Sequence, residues 1–210
     1  MRLMAIILRT FFKLLYHQLA WAYDIIASIV SLGAWQKWVQ AISTHLEGGK
    51  ILEIGFGPGH LQVMLHKKDI TVFGLDESYQ MVQIAQKRLK SQGFQPCLAR
   101  GIAQTLPFGN DMFQQVVLTF PAEFILQPAS ISEIHRVLVQ QGEALIVPIA
   151  WITGRKPWER LIAFVNRISG EAPEWNPKVV DPLTEAGFKV GWEMINFPGS
   201  KIILIHMIKV

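Results

Sequence analysis

The stretch that decides the fold is Lys50 to Leu61, KILEIGFGPGHL. Ile51, Leu52 and Ile54 form a short apolar run, broken once by Glu53, and the run stops at Gly55, Gly57 and Gly59. An apolar run of this length that ends in glycine reads as a buried strand entering a tight turn. Leu61, Val63, Met64 and Leu65 then suit a helix. Glycines allow positive φ and let a ligand come close to the main chain, and the first turn of a helix offers unpaired N–H groups to an anion. A dinucleotide fingerprint needs a third glycine where His60 stands, and a P-loop needs a lysine that is absent. A polyphosphate ligand is therefore disfavoured. A glycine turn with no ligand remains the bland alternative.

A second acid weighs against that alternative. Ile70 to Leu75 reads as the next strand, and it ends at Asp76, 21 residues beyond Gly55. Doubly wound folds place a ribose-binding acid about 20 residues on. A carboxylate at a strand's end accepts hydrogen bonds from two vicinal hydroxyls. As a helix cap for the segment starting near Ser78, Asp76 would serve structure alone.

Half of the 210 residues are hydrophobic and only 17% are charged, against about 25% in ordinary soluble domains. So apolar a chain fits a membrane surface, a greasy substrate or a buried partner face. The net charge is +4 without a dense Lys/Arg run, so nucleic acid is not an expected partner. The lone Cys97 allows no internal disulfide, which suits the cytoplasm. The six histidines show no ligand-type spacing, so no metal site is expected.

The pattern E-x-G-x-G-x-G from Glu53 resembles motif I of the class I S-adenosylmethionine-dependent methyltransferases. Ala22 to Trp38, AYDIIASIVSLGAWQKW, resembles the region before that motif in ubiquinone/menaquinone C-methyltransferases. Arg100 to Phe108, RGIAQTLPF, is similar to the family's G-D-A-x-x-L-P-F, with Ile102 in place of the acid. Ile131 to Val139, ISEIHRVLV, is similar to its E-I-x-R-V-L segment, and Gln114 replaces a usual acid after Phe113. The resemblance implies a Rossmann-like, doubly wound, mostly parallel α/β sheet with an N-terminal helical cap. It also implies methyl transfer from S-adenosylmethionine, leaving S-adenosylhomocysteine, to a small lipophilic acceptor of quinone or lipid type. By the same resemblance Glu53 supports the loop and the cofactor's amino end, and Gly55, Phe56, Gly57 and Gly59 cradle its methionine part. Asp76 and Glu77 form the ribose turn, while Met81, Ile102 and Ala103 border the adenine. Tyr23 is a lid residue by analogy, and a core aromatic otherwise. The replaced acids at Ile102 and Gln114 keep a second reading open, a non-catalytic cofactor-binding or membrane-partner protein.

The remaining segments fit one domain. Residues 1–46 read as the helical cap, 47–149 as the cofactor-binding core, 150–177 as a helical insertion, and 178–210 as a last helix and hairpin. Residues 2–18 read as a basic amphipathic helix, with Arg9, Lys13 and His17 on one stripe. Such a helix docks on an anionic bilayer or packs on its own core. A cytoplasmic protein held peripherally at the inner membrane face follows from the first option. Helices are expected over Ala34–Leu46, Gln80–Lys90 (stopped by Gly93), Ile131–Val139 and Pro182–Gly187. Further strands are expected over Gln95–Ala99, Phe113–Phe120, Ala144–Ile149, Phe188–Phe197 and Lys201–Val210. Residues beyond the fourth strand face the ligand mouth, so Phe120 borders the cofactor and Pro121 and Glu123 the acceptor. Glu123 is either a general base or, preferred here, an acid favouring the next helix dipole. No catalytic base is assigned. All seven tryptophans, Trp151 among them, lie outside residues 39–150, so a dry aromatic acceptor pocket between cap and insertion is expected.

Overall fold

A computed structural model describes residues 28–29, 31–121, 123–154, 156–157, 159–160 and 174–210. The expected helix over 2–18, Tyr23, the insertion helix around Trp158 and the side chain of Glu123 lie outside the described residues.

The helices are α1 (Trp35–Ser43), α2 (His60–His66), α3 (Tyr79–Ser91), α4 (Pro128–Val137) and α5 (Asp181–Glu185). The strands are β1 (Lys50–Ile54), β2 (Thr71–Asp76), β3 (Cys97–Arg100), β4 (Phe113–Thr119), β5 (Leu138–Val147), β6 (Ala150–Ile152), β7 (Phe188–Phe197) and β8 (Ser200–Lys209). Strands β3, β2, β1, β4 and β5 run parallel in that order, and β8 joins β5 antiparallel. β7 pairs along the full length of β8, turning through Pro198 and Gly199. This confirms the Rossmann-like parallel sheet with a terminal antiparallel hairpin.

Alternation along β1 assigns its side chains to two layers. Leu52 and Ile54 join one apolar cluster with Ile131, Ile134 and Leu183 of α4 and α5. Ile51 joins the other, with Trp38, Val39 and Ile42 of α1 and Leu61 and Leu65 of α2. Glu53 alternates with Leu52, and so points to the α2 side. The polar breaks in apolar runs thus follow from the pleat.

Three boundaries differ from expectation. The strand predicted to reach Phe120 ends at Thr119, because Phe120 turns into the left-handed region at φ 53°. The helix predicted to reach Val139 ends at Val137, and Gln140-Gln141-Gly142 is not a helix exit but part of β5. Leu138 pairs with Phe113 and Glu143 with Gln115, so β5 bulges between them, with Gln141 at φ 61°. Gly142 lies close to two carbonyls there: an added Cβ would sit 2.8 Å from Val139 O. Finally, Ala150–Ile152, expected to open the helical insertion, forms β6 along the start of β8, in line with β5.

Candidate active site

The turn after β1 departs from the sheet through the Gly55 N–H, which donates to Leu75 O at 2.7 Å. Gly55 and Gly57 both have positive φ, 75° and 52°, and a Cβ on either would meet nothing within 4 Å. Their bare Cα faces open on the mouth of the sheet. Gly59 serves differently: its Cβ would stand 2.9 Å from the Ala85 Cβ, so glycine there lets α2 pack on α3.

Asp76, 5% exposed, turns its carboxylate onto this loop. Gly57 N–H donates to Oδ2 at 2.8 Å and Ser78 N–H to Oδ1 at 2.9 Å. The capping of α3 falls instead to Ser78, whose Oγ accepts from Met81 N–H at 3.4 Å.

Glu53 is 1% exposed and its carboxyl is pushed up from 4.5 to about 8. Burial is the main cause and the Asp76 charge adds to it, while the hydrogen bond from Gln62 opposes both. Gln62 Nε2 donates to Glu53 Oε2 at 2.8 Å, and Gln62 Oε1 is buried with no hydrogen-bond partner.

Two supports were not found by sequence reasoning. One is Gln62, a polar residue inside the apolar run of α2; a buried acid on the neighbouring strand is the signal that it needed a partner. The other is Arg88, whose Nη1 donates to Pro58 O at 2.7 Å and so braces the loop from α3. Nothing local to Arg88 announces that contact.

The remaining predicted residues divide. A cleft is bounded by Glu53, Gly55, Phe56, Gly57, His60 and Thr119, with Trp35 and Val39 of α1 across it. Phe120 packs beside it between Trp35 and Trp38, at ring distances of 4.6 and 5.7 Å. Phe56 itself is mostly turned into a small cluster with Val82 and Ala85. Met81 is fully buried and Ala103 nearly so, which leaves them little surface to offer. Ile102 is exposed, on a loop that Glu133 and Arg136 clamp to α4: Leu106 N–H donates to Glu133 Oε2, and Arg136 donates to Phe108 O. The Arg136 hydrogen bond holds the Glu133 carboxyl below its ordinary range. Glu77 is exposed, with its carbonyl accepting from Arg100 Nε. Pro121 is half-buried beyond β4. Trp151 lies on β6 under the Lys201 ammonium, 5.1 Å from its ring.

This geometry has counterparts among known proteins. A family model described as "Methyltransferase domain" matches residues 51–142. An uncharacterized methyltransferase of Synechocystis sp. is 30% identical, over 86% of this chain and 88% of that one. The chain belongs to the class I S-adenosylmethionine-dependent methyltransferases. The demethylmenaquinone methyltransferase of Thermotoga maritima is 26% identical over 92% of this methyltransferase and 95% of the relative. The fold matches a Haemonchus contortus phosphoethanolamine N-methyltransferase solved with phosphomonomethylethanolamine and S-adenosylhomocysteine. There the TM-score is 0.63 at 16% identity, covering 84% of this chain and 53% of that one. S-Adenosylmethionine is accordingly the cofactor of this enzyme. The bare glycine faces and the carboxylate converging on them fit a nucleoside bearing an amino acid.

Proposed function

We propose that this enzyme methylates a small lipophilic acceptor, quinone- or lipid-like, with the reaction held in the cleft between the glycine turn and α1. The observation that carries this reading is the aromatic side of the cleft: Trp35 lines it opposite Gly55 and Gly57, and Phe120 and Trp38 pack ring to ring behind Trp35. Such a wall takes an apolar ring or chain and repels a charged, hydrated acceptor. The demethylmenaquinone methyltransferase relative has the matching kind of acceptor in its name.

In this reading Gly55, Phe56, Gly57 and Gly59 hold the methionine part of the cofactor, and Glu53 faces its amino end. Asp76, oriented by the Gly57 and Ser78 amides, accepts from the ribose hydroxyls. Glu77 and Ile102 border the nucleoside at the surface, with Met81 and Ala103 packed behind. S-Adenosylmethionine brings an electrophilic methyl on a sulfonium, itself a good leaving group. The chain's own part is to align the acceptor with that methyl and exclude water. Phe120 and Pro121 line the acceptor side, joined by Tyr23 as lid and by Glu123, whereas Trp151 packs on the opposite face of the sheet from Phe120. Residues 1–18 would rest on the inner membrane face, from which a lipophilic acceptor is drawn. No helix among the described residues is long and apolar enough to cross a membrane.

The test is formation of S-adenosylhomocysteine with three acceptors: a demethylated naphthoquinone bearing a prenyl tail, phosphatidylethanolamine in vesicles, and water-soluble phosphoethanolamine. Turnover with either lipophilic acceptor is expected. Turnover confined to the water-soluble amine overturns the reading. Vesicle co-sedimentation unchanged by deleting residues 1–18 removes the membrane part alone.

A further inference from the structure

At the other end of α1 from Trp35, three side chains far apart in sequence meet. His45 follows α1, Glu193 sits on β7 and His206 on β8. Their ligand atoms all lie within 4.8 Å of one another. Glu193 Oε1 is 3.5 Å from His45 Nε2 and 3.3 Å from His206 Nε2. Glu193 pairs with Leu204 and Gly191 with His206, so Glu193 and His206 are diagonal neighbours on one face of the hairpin.

The second nitrogen of each ring faces an acceptor. His206 Nδ1 is 2.8 Å from Glu143 Oε1, and Glu143 Oε2 accepts in turn from Gln115 Nε2 at 3.4 Å. His45 Nδ1 is 3.0 Å from Ala41 O. The nearby Thr44 hydroxyl donates its proton to the same carbonyl, so it too turns a lone pair towards His45 Nδ1. In the tautomer with the proton on Nδ1, each ring directs that proton at its acceptor. Both Nε2 atoms then present lone pairs to a carboxylate oxygen that has only lone pairs to offer. Three acceptors so placed repel unless a positive charge, a metal ion or a proton on one of the rings, lies between them.

We infer that His45, Glu193 and His206 form a site for a divalent transition-metal ion, with zinc the best match. A tetrahedral ion roughly 2.0–2.1 Å from nitrogen and oxygen ligands spaces them by about 3.3 Å, close to the two observed separations. A His–His–carboxylate set with imidazole Nε2 ligands is borderline-soft chemistry that favours zinc over calcium or magnesium. The carboxylate behind His206 and the carbonyl behind His45 are the outer partners that orient metal-binding rings. All three residues are partly exposed, with Glu193 at 51%, so water completes the coordination. The ion would tie the end of α1 to the terminal hairpin and so steady the helix that covers the cofactor cleft. The linear spacing of the histidines hides this set; the sheet assembles it.

The experiment is calorimetric titration of the full chain with zinc chloride after chelator treatment, with cobalt(II) absorption reporting ligand geometry. One equivalent per chain is expected, with tetrahedral cobalt bands. His206→Ala should abolish it, and Glu143→Gln should weaken it roughly 10- to 100-fold. Glu193→Gln, at an exposed position that leaves the fold intact, should weaken zinc at least tenfold and remove the zinc-induced rise in Tm. Absence of zinc binding in the wild type, or binding unchanged in Glu193→Gln, overturns the site.

Discussion

Replacing Glu53 by glutamine removes a proton-binding group while keeping its shape. The folded chain holds the Glu53 proton up to about pH 8, whereas the unfolded side chain releases it near 4.5. The folded state therefore binds more protons throughout that window, and stability falls as pH rises through it. The contribution is complete below 4.5, declines by about 1.4 kcal/mol per pH unit and is gone above the folded value. Summed over the window it is on the order of 5 kcal/mol, comparable with much of a domain's total stability. Glutamine does not titrate, and its carbonyl can still accept from Gln62 Nε2, so near pH 5 the variant should match the wild type within about 1 kcal/mol. Urea unfolding of both proteins at pH 5, 6.5 and 8 is the assay. The difference between them should grow by several kcal/mol towards high pH, in favour of Glu53→Gln. Parallel stability curves would mean that Glu53 is ionised in the folded chain, and would refute the reasoning.

Other expectations follow from single contacts. Gly59→Ala puts a Cβ 2.9 Å from the Ala85 Cβ at φ 82°, so it should cost roughly 1–3 kcal/mol in urea unfolding and loosen the α2–α3 contact. Ser200→Ala strands the buried Trp38 Nε1–H, now 3.1 Å from Ser200 Oγ, and should lower stability by about 1–3 kcal/mol. Arg88→Ala removes the brace on Pro58 O; we expect a several-fold higher KM for the cofactor with kcat little changed. Trp35→Ala opens the aromatic wall and should raise KM for a lipophilic acceptor more than for S-adenosylmethionine.

What the sequence disclosed was chiefly local. Apolar runs closed by Gly55 or by Asp76 mark buried parallel strands and their exits, so the core order and the glycine turn were legible. Asp76 was legible because strand length and helix length fix the spacing between successive strand ends. The start of β5 was not, because Leu138 and Val139 fit a helical period and a strand equally well; the pairing of Leu138 with Phe113 decides it. Gln62, Arg88 and the cluster at His45, Glu193 and His206 were hidden for a different reason. Each acts through a partner brought near only by tertiary packing, and no spacing along the chain encodes that.

The central claim is that Asp76 and the glycine turn hold one nucleoside amino acid between them. Calorimetric titration of S-adenosylmethionine into the wild type and Asp76→Ala, each checked for an intact fold by circular dichroism, tests it most directly. One molecule should bind per wild-type chain. Loss of even one hydrogen bond to a charged group, about 1.5–3 kcal/mol, should weaken the variant at least tenfold. Equal affinity in the two proteins, or no binding to the wild type, would contradict the account.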